Sequence, residues 1–375
     1  MDTDFLRTHL DDVLRNAVDN GDYPCALTLV FDGERDFYEG SFGRADLERP
    51  GAPRRDTIFR MFSSSKPFTG FAAAICVERG LFSLEDRVDL FLPGFADVRV
   101  GPDRHPAPRP VTVRDLLSMT SGLTYDFPWN EHPGLSTVAF ANELGRQGLA
   151  FDPGDHWAYG YSADAMGALV EVATGRRFGD FLREELFEPV EMRDTAFFVP
   201  PEKRGRLCKP YWLNPETNRF VEHVERVDHL GVADWDAPPP FESGGAGLFS
   251  TADDMRAWTR MLLAGGVCRD GRRLLSPAAF RAMTSGLLTD RQKRTFDWDN
   301  CEGQQYGYFH HVQAENGPQG LLSGRGAFAW GGWMGTLTWT DPANALGCVF
   351  LTQAIGVRWK LSPRVRNVVS AAAER

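Results

Sequence analysis

Apolar residues recur at helical spacing from the start of the chain. Phe5, Leu6, Leu10, Val13, Leu14 and Ala17 share one face, which predicts an amphipathic helix over residues 4–19. The period then changes: ALTLVFDG and DFYEGSFG, around a turn at Gly33, read as two strands. After FRMFSSSK, the run PFTGFAAAICVERG predicts an apolar helix closed by Gly80. A proline-rich connector, GPDRHPAPRP (101–110), precedes a helix through VRDLLSM. Residues 124–153 read as loop-rich, and DAMGALVEVATG as a second apolar helix closed by Gly175. Beyond a break at WDAPPPFESGGAG (235–247), TADDMRAWTRMLLAGG opens with Thr251 as N-cap and acids in its first turn. GAFAWGG, GTLTWTD and ALGCVFLTQA return to strand, and a last helix starts near Ser362. There is no internal repeat. Strands at both ends with helices between predict an α/β (α+β) fold, its sheet assembled from the two termini around a mostly helical insert.

The 375 residues allow one large domain or two ordinary ones. A net charge of -10 excludes a general phosphate-backbone binder, so no nucleic-acid partner is expected. The N-terminal run MDTDFLRTHLDDVLRNAVDN is acidic and has no uninterrupted apolar stretch, and no window approaches the ~18 apolar residues of a membrane span. The expectation is a cytoplasmic protein with no membrane partner. Cys25, Cys76, Cys208, Cys268, Cys301 and Cys348 are scattered without a C-x-x-C pair, which predicts reduced, mostly buried thiols and no metal site.

Among 41 basic residues only five are lysines: Lys66, Lys203, Lys209, Lys293 and Lys360. One of them closes RMFSSSK. Arginine keeps its proton in a protein, whereas a buried lysine can become neutral and act as a base. If the chain turns helical at Ser63, Lys66 at i+3 shares its face, with Cβ atoms roughly 5–6 Å apart. That places an amine beside a hydroxyl that is a poor nucleophile until a base takes its proton. Ser64 and Ser65 have no lysine at that spacing and read as helix-start residues. Alone, S-x-x-K is a weak signal.

Three further stretches follow in order: VTVRDLLSMTSGL, PGDHWAYGYSADAMGALVEVATG and AWGGWMGTLTWTDP. Together with FRMFSSSKPFTG they make a chain that resembles the serine β-lactamase/penicillin-binding-protein superfamily. The match is nearest to the class C β-lactamase-like branch and its family VIII carboxylesterases, and it runs through nearly the whole chain. The resemblance implies an antiparallel sheet of N- and C-terminal strands flanked by helices, plus an inserted helical domain. We divide it as 1–75 with 300–375 and 76–299, with the active site in the cleft between. It further implies Ser63 as the acylated nucleophile, Lys66 as its base and Tyr159 as the tyrosine that shares the proton network. Tyr125 sits where several of the esterases carry a second active-site tyrosine. Trp330-Gly331-Gly332 takes the place of the third motif, with the backbone N–H groups of Ser63 and Trp333 as oxyanion hole. Tyr125, Tyr161, Trp330, Gly331 and Gly332 are the expected substrate-binding positions. His310 and His311, adjacent on a strand, face opposite ways, so at most one lines the cleft.

Two departures narrow the chemistry. Tyr159-Gly160-Tyr161 lacks the asparagine that holds a substrate amide in the lactamases, and the third motif lacks the cation that recognises a carboxylate. Both point away from β-lactamase or D-peptidase chemistry. The expected function is a carboxylesterase acting through an acyl-enzyme, without cofactor, on a small-molecule acyl donor with water as acceptor. The rival keeps the site and passes the acyl group to an alcohol or amine, as an acyltransferase or peptide cyclase; a non-catalytic sensor ranks last. An acceptor pocket would be built from loops such as 124–153 and 205–240.

Overall fold

The computed structural model describes residues 1–132, 134–223, 230, 232, 236–296, 301–315, 317, 320–358 and 360–375. Its centre is a seven-stranded antiparallel sheet. In spatial order the strands are Asp36–Gly43, Cys25–Phe31, Leu346–Leu351, Leu337–Asp341, Phe328–Gly331, His310–Gln313 and Gln304–Gly307. Both chain ends contribute, as the hydrophobic pattern predicts.

Strand alternation divides the apolar side chains between two cores. Leu27, Leu29 and Phe31 face the helical side, together with Val349, Leu351, Phe328 and Trp330. Ala26, Val30, Trp339, Cys348 and Phe350 face the other way, beneath the first helix Thr3–Asp19 and the last helix Ser362–Ala373. Because both faces are covered, CALTLVF is buried at every position and reads as a continuous apolar run. All six cysteines are free and buried.

Lys66–Glu78 begins with Pro67, whose missing N–H and fixed φ suit the first helical turn. It is buried nearly all round and packs against Ser162–Thr174, which ends at Gly175 in the left-handed conformation. Ala252–Leu263 starts where predicted, with Thr251 Oγ1 accepting from the Asp254 amide at 3.2 Å. This helix packs on the sheet strands Leu337–Asp341 and Leu346–Leu351, and its Trp258 meets Phe68 and Phe71 of Lys66–Glu78.

Residues 124–153 are less loop-rich than their sequence reads. They hold the helix Thr137–Gln147, capped by Ser136, with Phe140, Ala141 and Leu144 buried on one face. Its stripe is short, and flanking prolines and glycines mask the periodicity. A hairpin of Tyr211–Asn214 and Arg219–Glu222 lies within 205–240; residues 224–229, 231 and 233–235 of that segment are outside the described residues. Among the described residues, no helix is long and apolar enough to cross a membrane.

Gly70 fixes how closely the helix Lys66–Glu78 approaches the sheet. A Cβ there would stand 2.1 Å from the Tyr308 carbonyl oxygen, and backbone cannot give way cheaply. Gly70→Ala is expected to lose about 1–3 kcal/mol in denaturant unfolding. An unchanged midpoint would mean that this contact does not set the packing.

Candidate active site

Ser63 lies in a short 3₁₀ turn, Phe62–Ser65, that runs directly into the helix at Lys66. The residue before it, Phe62, is held at φ 45°, a strained value for a non-glycine side chain. The three serines have separate tasks. Ser64 Oγ is 2.9 Å from Thr336 Oγ1, and Ser65 Oγ accepts from the Leu248 amide at 3.0 Å. Both are buried. Ser63 lines the cavity.

Lys66 is fully buried, and its Nζ donates to three oxygens: Ser63 Oγ at 3.1 Å, Tyr125 hydroxyl at 3.0 Å and the Gly245 carbonyl at 2.8 Å. An ammonium has three N–H groups, so this shell satisfies it; a neutral amine keeps two and turns its lone pair toward one oxygen. The same nitrogen stands 4.6 Å from the Tyr159 ring centroid, over its face.

The Gly245 carbonyl is positioned by a residue that the sequence reading passed over. Asp164, buried at the start of Ser162–Thr174, accepts from Ser243 Oγ at 2.5 Å and from the Gly245 amide at 3.1 Å. Burial raises its carboxyl above the usual range, while the charge of Lys66 and these hydrogen bonds pull it back. The glycines allow the close approach: a Cβ on Gly245 would meet Asp164 Oδ2 at 2.5 Å, and one on Gly244 the Ala163 carbonyl at 2.6 Å. The run ESGGAG is a visible signal, but it reads equally well as a simple chain break.

Tyr125 and Tyr159 pack edge to face beside Lys66, with ring centroids 5.5 Å apart. Burial pushes the Tyr125 phenol well above its ordinary pKa, so it stays protonated while its oxygen accepts from Lys66. The Tyr159 hydroxyl accepts from Trp330 Nε1 at 3.3 Å, and its ring stacks on Trp157. Tyr161 does not join the cavity wall. It is buried beneath Tyr125, ring centroids 4.7 Å apart, with its hydroxyl accepting from Trp129 Nε1 at 2.8 Å. Two residues after Tyr159, at the N-cap of Ser162–Thr174, Tyr161 packs under Tyr125 and is not among the residues that line the cavity.

Trp330, Gly331, Gly332 and Trp333 all line the cavity with Ser63, Tyr125 and Tyr159. They form the end of Phe328–Gly331 and its turn, closed by Gly332 N–H to Thr336 oxygen at 2.7 Å and Gly335 N–H to Gly332 oxygen at 2.9 Å. Thr336 Oγ1 also donates to the Met61 carbonyl at 3.1 Å, which ties this turn to the one that carries Ser63. The two backbone amides expected to form the oxyanion hole thus sit on two turns clamped together. His311 lines the same cavity, whereas His310 packs its ring against Phe328.

The beta-lactamase family profile matches residues 10–366. The chain is 32% identical to protein Rv1367c of Mycobacterium tuberculosis over 91% of this chain and 88% of that one. It is 28% identical to esterase EstB of Burkholderia gladioli, covering 99% of this chain and 97% of the esterase. A solved structure, EstCE1, a hydrolase with promiscuous acyltransferase activity, superposes with a TM-score of 0.81 at 22% identity, covering 100% of this chain and 99% of that one.

Gly332 tests the clamp. A Cβ there would stand 2.2 Å from the Met61 carbonyl oxygen and 2.3 Å from Thr336 Oγ1, forcing the turns apart. Gly332→Ala is expected to lower kcat about 100-fold, the lower end for removing an oxyanion donor. Gly324→Ala, whose Cβ meets only the Ala343 methyl at 4.0 Å, is the control. Equal turnover in both variants would exclude the clamp as a catalytic element.

Proposed function

The chain belongs to the beta-lactamase family, and we propose that within it the protein is a carboxylesterase working through an acyl-enzyme on Ser63. The family and its esterase and acyltransferase relatives make it a serine ester hydrolase or acyltransferase. The observation that carries the finer reading is the Lys66 amine, buried and 3.1 Å from Ser63 Oγ.

In the first step the neutral Lys66 amine accepts the Ser63 proton as Oγ attacks the ester carbonyl. The negative charge that develops on the carbonyl oxygen falls toward the amides of Ser63 and Trp333, which are fixed before reaction and need no reorganisation. Collapse breaks the ester C–O bond. The alkoxide leaves with a proton relayed from Lys66 through Tyr159, while Tyr125, in direct contact with Lys66, holds the ammonium in place. Water then attacks the acyl-enzyme, its proton passing to Lys66 and another returning to Ser63 Oγ, and the free acid departs.

An uncharged Trp330 in the third motif favours neutral acyl groups near the nucleophile, because it offers no charge-assisted bond there. Transfer to an alcohol or amine uses the same acyl-enzyme, and EstCE1, so similar in fold, is described as doing both.

Lys66→Arg keeps a cation but removes a group able to become neutral. Turnover of a p-nitrophenyl ester is expected to fall at least ~100-fold, with melting temperature followed in parallel. Near-wild-type turnover would show that Lys66 is only a structural cation. The acceptor is settled by following both chromophore and acyl products with and without a panel of alcohols and amines. Hydrolysis gives steady turnover to free acid that no acceptor accelerates. A stoichiometric burst that stalls until one nucleophile is added would identify a transferase instead.

A further inference from the structure

The cavity that opens at Ser63 does not end at the oxyanion turn. Its volume is about 930 Å³, and it continues past the tip of the strands Phe328–Gly331 and Leu337–Asp341 to the other side of the sheet. There it is walled by His311, Leu337, Phe350, Leu361, Ser362 and Arg366. Arg358 and Lys360, both outward-facing, stand at its rim.

Arg366 is the unusual member of this wall. It is 5% exposed, on the inner face of the last helix. One Nη donates to Ser323 Oγ at 3.0 Å, and the guanidinium lies over the Trp339 ring at 5.6 Å from its centroid. Among the described residues, its Nε has no hydrogen-bond partner. Asp341 acts on it only at a distance, since that carboxylate is taken up by the Ala343 and Asn344 amides and by Asn344 Nδ2. Burial lowers the guanidinium to about 10, which still leaves it charged at neutral pH. Beside it the buried His311 Nε2 is likewise without a partner among the described residues.

A buried cation is costly unless an anion meets it. In a chain with 51 acidic residues and a net charge of -10, none of the carboxylates among the described residues pairs with that guanidinium. A planar guanidinium matches a planar carboxylate with paired N–H groups. One buried cation neutralises one negative charge, which fits a carboxylate better than a phosphate dianion. Arg366 and Ser63 line the same cavity, so one molecule carrying both an ester and a carboxylate is able to reach both.

We propose that the cavity selects esters that carry a carboxylate remote from the scissile bond, with that carboxylate held by Arg366. The proposal rests on the esterase reading and adds to it the class of substrate. It also gives a use to the part of the cavity that acyl transfer to water does not need.

The test compares kcat/KM for p-nitrophenyl half-esters of dicarboxylic acids with the neutral acyl esters of matched length. A second arm compares carboxyphenyl with phenyl esters, to locate the carboxylate on the acyl or the alcohol side. In the wild type, one arm is expected to favour the carboxylate by at least about tenfold, as a charge-assisted bond would. In Arg366→Met that ratio should fall to near one. Adipate should raise the wild-type melting temperature and compete with neutral ester, and it should lose both effects in Arg366→Met. Wild-type ratios near one in both arms, with no effect of adipate, would overturn the site whether or not the variant folds. So would a preference that survives in Arg366→Met. Stabilisation by adipate that depends on Arg366, in an enzyme that turns over no ester at all, would support the site and defeat the esterase reading.

Discussion

The amine of Lys66 is closed off from solvent and held by three oxygens from three distant parts of the chain: Ser63, Tyr125 and Gly245. Burying such a group is costly unless every N–H is met. The fold therefore has to bring a strained turn, a loop after the helix Val113–Leu117 and a glycine-rich turn to one point. Each of these is in turn fixed by something buried. Asp164 holds the glycine turn, Tyr161 lies beneath Tyr125, and Ser64 and Ser65 tie the turn that carries Ser63 to Thr336 and Leu248. The site is rigid because its supports are core residues.

The sheet contributes the other half. A strand tip can present a backbone amide beside a nucleophile only if its register and its distance from the helix are set. The distance depends on glycines that allow backbone to meet backbone, at Gly70 against Tyr308 and at Gly332 against Met61. Covering the sheet on both faces makes its strands a rigid platform. It also leaves room at the strand tips, where the cavity passes from one face toward the other.

Much of this was legible in the sequence. The long helices, the terminal strands and the S-x-x-K spacing each depend on local pattern, and local pattern survives in a linear chain. The helix Thr137–Gln147 was not legible, because its apolar stripe is short and punctuated at both ends by turn residues. Tyr125 stood in the sequence as a substrate-binding candidate, and only the tertiary fold places its hydroxyl against Lys66. Asp164 and Gly245 were not read as site residues: an acid in an apolar helix and a glycine in an apparent chain break have no motif until they meet across 81 residues. Arg366 reads as an ordinary polar position of the last helix, and its burial comes from what covers it.

On the reading proposed here, the Lys66 cage exists to activate Ser63. The most direct measurement is the mass of the intact protein, and then of its peptides, after reaction with a serine-directed phosphonate. A single phosphonyl addition is expected on the peptide containing Ser63, absent in Ser63→Ala and slowed in Lys66→Arg. Labelling that persists unchanged in Ser63→Ala, or that maps to Ser64 or Ser65, would contradict it.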